Sequence, residues 1–115
     1  QNLLKGMKPS TRQRFVGMSF DFPKPELERE ILMRETGISG ELASRLVKLA
    51  ASLRALKDHD LEEAASTRLL VYAASLIDSG MTAREACRAA LAEPLTDDRE
   101  TLQALMEVIK VSFAT

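Results

Sequence analysis

The sequence predicts a mainly α-helical domain preceded by a single β-strand. Three observations predict it. From residue 25 onward, apolar residues recur at helical spacing almost to the C-terminus. Cap and stop residues punctuate that pattern into five helices with short connections. Only "RFVGMSFDF", residues 14–22, is rich in β-type residues with partial alternation, through Phe15, Val16, Met18, Phe20 and Phe22.

The elements follow in order. One strand is not stable alone, so the strand over 14–22 is expected to join a sheet supplied by upstream chain. Pro25 suits the first position of a helix, with Glu26 and Glu28 near the positive end of its dipole. Leu27, Ile31 and Leu32 are its expected apolar face, and Gly37 can close it. Ser39 can cap a second helix. Its face is Leu42, Leu46, Leu49, Leu53 and Leu56, flanked by Val47 and Ala50. "KDHDLEE" (57–63) reads as a polar connection. Ser66 caps a third helix that ends at Gly80. "TARE" (82–85) is a capping box opening a fourth helix through Leu91. Pro94 breaks the chain. Asp97 with Glu100 is read as the cap of a fifth helix, whose Leu102, Leu105, Met106 and Ile109 face inward.

Composition narrows the function classes. The chain has 115 residues, 45% hydrophobic and 29% charged, as in ordinary globular material. It has no Trp, one Tyr and four Phe, so the core must be aliphatic. The formal charge of −1 argues against nucleic-acid binding. That charge is uneven. Residues 1–20 carry Lys5, Lys8, Arg12 and Arg14 with no acid, so the remainder sums to −5. Local positive charge of this kind suggests one anionic contact. No apolar run reaches membrane-spanning length. Cys87 is the only cysteine, which fits a reducing compartment, and a cytoplasmic location is expected. The chain opens on "QNLLKG" and reads as a piece of something larger.

Candidate chemistry is concentrated on arginines. His59 and Cys87 are single and sit on different elements, so no metal site is expected. His59 reads as a solvated loop residue and Cys87 as a small buried apolar group. Arg68 lies in the first turn of the third helix, two residues after Ser66. Free N–H groups and the positive dipole end favour an anion there, and a guanidinium adds a fork suited to phosphate. An acid would suit the dipole better, so the arginine goes against the local rule. The plainer alternative is a surface arginine paired with Glu62 or Glu63. Arg12 and Arg14 have a similar alternative, as solvated turn residues.

Together these stretches resemble the C-terminal part of an AAA+ ATPase of the MoxR class, in its CbbQ/NorQ branch. "KPSTRQRF" resembles the segment ending in Arg-Phe before the last strand of the ATPase core. "FDFPKPELEREIL" is similar to that strand followed by the first lid helix. "ASTRLLVYAASLI" resembles the helix bearing the sensor-2 arginine, and "REACRAALAEPLTDD" the branch's ending. The wider class tends to carry Gly and Pro around that arginine, where this chain has Ala64 and Thr67.

The resemblance implies a helical lid bundle over residues 23–115, preceded by the end of the α/β core over 1–22. It places the arginine finger, acting in trans on a neighbour's γ-phosphate, on Arg14, with Arg12 a weaker candidate. It places the sensor-2 arginine on Arg68, with Ser66 and Thr67 beside it at the nucleotide. It also implies ATP and Mg2+ as cofactors and a hexameric ring. The implied partners are a protein bearing a von Willebrand factor A domain and a target enzyme. Rubisco is the favoured target, with nitric-oxide reductase maturation the other case. Phosphate-loop lysine, Walker B acids and sensor-1 asparagine are expected before Gln1, so the chain alone is expected not to hydrolyse ATP. Two other readings compete: a stand-alone helical adaptor without nucleotide chemistry, and a helix-turn-helix DNA binder around Gly80. The acidic sum of residues 21–115 argues against the second.

Overall fold

The computed structural model describes residues 22–55 and 65–114. Among the described residues, five α-helices follow one another: α1 Pro25–Thr36, α2 Gly40–Ala55, α3 Thr67–Asp78, α4 Ala83–Cys87 and α5 Arg99–Ser112. The strand expected over 14–22 lies outside the described residues except for Phe22, as do His59 and Leu56.

Local chemistry sets the boundaries. Pro25 opens α1, and Gly37 closes it at φ 85°, donating its N–H to Met33 O. This left-handed conformation costs glycine little and other residues more. The Ser39 hydroxyl accepts from Leu42 N–H at 3.2 Å at the start of α2. Ser66 caps α3 by accepting from Leu69 N–H at 3.4 Å. Thr82 and Glu85 form the expected reciprocal capping box on α4.

Two expectations shift. The cap of α5 is Asp98, not Asp97: its Oδ2 accepts the Thr101 N–H at 2.9 Å and the Thr101 hydroxyl at 2.8 Å. Thr101 is buried and offers two donors to one carboxylate, which the Asp97–Glu100 pairing lacks. The fourth helix also changes form. After α4 the chain widens into a π-helical turn, Arg88–Ala92, in which Glu93 N–H donates to Arg88 O at 2.8 Å. The wide turn brings three consecutive residues, Ala90, Leu91 and Ala92, into the core.

Among the described residues the core is aliphatic apart from Phe113. α1 packs on α2 and α3, α2 also on α5, and α3 on α4 and the π turn. Leu32, Leu46, Leu49, Leu53, Leu70 and Leu91 are almost fully buried. Each such side chain stabilises the fold by about 1.5–3 kcal/mol relative to exposure. Cys87 is buried among them, and desolvation pushes its thiol up to about 12, so it behaves as a small apolar group. The face of α1 departs from expectation. Leu27 is 51% exposed, whereas Glu28 is 1% exposed and lies with Leu32 on the inner side.

Asp98 gives a test of the cap. The Thr101 backbone N–H, and then its hydroxyl, hold the Asp98 carboxyl below its ordinary value of 3.8. A depressed folded value means that this contribution is present above the unfolded pKa. It is lost as pH falls through the folded pKa. The melting-temperature gap between wild type and Asp98→Ala should therefore narrow from about pH 6 to about pH 2. A gap independent of pH would show that the charge contributes nothing.

Candidate functional site

The candidate site is the start of α3, where three helices meet. Glu28 in the first turn of α1 and Arg54 in the last turn of α2 suit the dipoles of their own helices. Their side chains meet in a two-pronged ion pair, Nη1 to Oε1 at 2.9 Å and Nη2 to Oε2 at 2.7 Å. The Glu28 side chain is 1% exposed and that of Arg54 13%, so the pair is largely removed from water. A buried charge requires such compensation, and planar fork-to-fork geometry supplies it.

The pair reaches further. Arg54 Nε donates to Ala65 O at 3.0 Å, and Nη2 donates to the same carbonyl. The Thr67 hydroxyl donates to Glu28 Oε2 at 2.7 Å. The residues flanking the cap Ser66 are thus fixed from both sides: Ala65 by Arg54, Thr67 by Glu28. The Arg54 guanidinium also lies 3.7 Å above the centroid of the Phe22 ring, a cation–π contact with the segment leading into α1.

Of the residues singled out in the sequence, Ser66, Thr67 and Arg68 come together here. Arg68 is exposed on the first turn of α3 and makes no ion pair or hydrogen bond among the described residues. The N–H groups of Thr67 and Arg68 take no partner there either. The Ser66 hydroxyl is occupied as a cap acceptor, and the Thr67 hydroxyl proton is committed to Glu28. What is left without a partner among the described residues is one exposed guanidinium and two backbone N–H groups at the positive end of a helix, a combination that suits a phosphate. Among the described residues no cluster of acidic, His or Cys side chains could hold a metal ion. No described helix is long and apolar enough to cross a membrane. Arg12 and Arg14 lie outside the described residues, as do Glu62 and Glu63.

Sequence reasoning passed over Arg54 and gave Glu28 only a dipole role. A signal existed. Glu28 sits four residues before Leu32, and Arg54 four after Ala50, each in line with a buried position. Opposite charges intruding on two apolar stripes are best explained by their pairing.

The family described as CbbQ/NirQ/NorQ C-terminal matches residues 28–112. The chain belongs to this family. The CbbQ/NirQ/NorQ match begins at Glu28 itself and includes Arg54, Thr67 and Arg68, while Arg12 and Arg14 precede it. The chain is 59% identical over 114 residues to denitrification regulatory protein NirQ of Pseudomonas aeruginosa, covering 99% of this chain and 44% of that protein. It is 53% identical to protein NorQ of Paracoccus denitrificans, covering 98% and 42%. It is 46% identical to protein CbbQ of Hydrogenophilus thermoluteolus, covering 99% and 43%. The chain therefore spans less than half the length of the curated relatives it matches. The helical bundle is consistent with the C-terminal lid of an AAA+ protein.

Proposed function

We propose that residues 23–115 form the lid, and residues 1–22 the last core strand and finger loop, of a hexameric MoxR-class AAA+ ATPase. In this reading, ATP hydrolysis with Mg2+ drives remodelling of a target enzyme in the cytoplasm, together with a partner bearing a von Willebrand factor A domain. The observation that carries the reading is Arg68. It is an exposed guanidinium, unpaired among the described residues, on the first turn of a capped helix within the family domain. The residues present fit a nucleotide phosphate: Arg68 supplies the fork, and the N–H groups of Thr67 and Arg68 supply donors beside Ser66. Bound ATP with its Mg2+ brings the transferable phosphoryl group. Arg68 is assigned to its γ-phosphate within the same subunit, and Arg14 to that of the neighbouring subunit.

The target is assigned with the help of the relatives. Identity is higher to NirQ and NorQ than to CbbQ, at 59% and 53% against 46%. This supports an enzyme of denitrification, with nitric-oxide reductase maturation as the case, over the rubisco target that the sequence alone favoured.

Arg68→Ala in the full-length protein should lower ATP turnover by roughly tenfold or more while the fold survives, because the side chain is exposed and its transition-state contact is lost. The measurement is steady-state hydrolysis beside a melting curve. Wild-type turnover, together with wild-type ATP-driven assembly, would return Arg68 to an ordinary surface residue and leave the helical adaptor as the better reading.

A further inference from the structure

We infer that Glu28, Arg54 and Thr67 are positioning residues that fix Arg68 relative to the segment entering the lid. The inference rests on the sensor-2 reading of Arg68 and deepens it. The geometry has three ends. Arg54 stacks on Phe22, the residue before the expected boundary between core and lid. It grips Glu28 of α1 through two hydrogen bonds. Glu28 in turn takes the hydroxyl of Thr67, the residue next to Arg68, while Arg54 holds the carbonyl of Ala65.

A helix cap alone does not need this. Ser66 already caps α3 without either charged residue. An aliphatic pair would fill the same space at a lower desolvation cost. The buried ion pair supplies direction instead. Its forked bonds fix the orientation and depth of the first turn of α3 against Phe22 and α1. A movement of the entering segment is then passed to Arg68 as a rigid displacement, not absorbed by sliding of apolar side chains. For a group that acts on a phosphate, a misplacement of about 1 Å can cost up to about a hundredfold in rate.

A double-mutant cycle in the full-length ATPase separates positioning from plain stability. Thr67→Val keeps the shape and the backbone N–H but removes the hydroxyl tie to Glu28. It should lower kcat for ATP about fivefold, with KM nearly unchanged, while Thr67→Ser restores kcat to within about twofold of wild type. In the Arg68→Ala background, Thr67→Val should have a clearly smaller further effect, because the guanidinium it positions is gone and only the two backbone N–H donors remain. Melting curves of all variants establish that they are folded. Should Thr67→Val not fold, Glu28→Gln, which keeps size and shape, carries the same cycle. Effects that multiply in the double variant, or an unchanged kcat in folded Thr67→Val, overturn the inference and leave the network as structural support alone. Wild-type turnover together with wild-type ATP-driven assembly in Arg68→Ala overturns the sensor-2 reading itself, and this inference with it.

Discussion

Replacing Arg14 with alanine should abolish ATP hydrolysis by the proposed ring while leaving ATP binding by the same subunit nearly intact. The reason is geometric. In the proposed arrangement, the site a subunit uses to bind ATP is not the site its Arg14 completes. An arginine acting in trans stabilises charge on the transferring phosphoryl group and is worth roughly 10³–10⁵ in rate. Its contact strengthens in the transition state, so rate should fall far more than affinity. Arg14→Lys should rescue little, because an ammonium cannot reproduce a planar fork. A mixing experiment separates this from a folding defect. Arg14→Ala subunits are combined with subunits whose own phosphate loop is disabled. Each is inactive alone, but mixed rings contain interfaces where one intact ATP site faces one intact finger, and activity should return. If Arg14→Ala subunits restore none in rings that demonstrably mix, while Arg12→Ala subunits do complement, the finger is Arg12.

Arg54→Met should destabilise the lid by about 3–5 kcal/mol, because it leaves the Glu28 carboxylate buried without its countercharge. Against a total of about 5–15 kcal/mol for a typical domain, that is a large fraction. The Ala65 carbonyl also loses its donor, and it lies in a fully buried residue. Glu28→Met combined with Arg54→Met should recover much of the loss, since two apolar side chains can fill the space of a buried ion pair. Recovery should stop short of wild type because Ala65 O and the Thr67 hydroxyl remain without these partners. Urea denaturation of wild type, Glu28→Met, Arg54→Met and the double variant tests the cycle. An Arg54→Met loss below about 1 kcal/mol would mean that water reaches Glu28 and that the pair behaves as a surface one.

Much of the fold was legible in the sequence because helix formation is written in local, short-range chemistry. Pro25, Gly37, Ser39, Ser66 and the Thr82–Glu85 box each act within a few residues, and each lies where the structure uses it. The apolar stripe from Leu42 to Leu53 likewise needs only the helical period. Arg68 was legible for the same reason: its place two residues after a cap follows from counting along the chain.

Counting along the chain is enough for the helices, their order, the largely aliphatic core and the arginine at the start of α3. The direction in which α1 faces comes from packing alone. From periodicity, Leu27 belonged inside, and Glu28 had only a dipole role. The structure exposes Leu27 and buries Glu28, because Arg54, 26 residues away, meets Glu28 across the bundle. The pairing energy of two buried charges depends on their separation in space. Spacing along the chain does not encode it until the helices have packed.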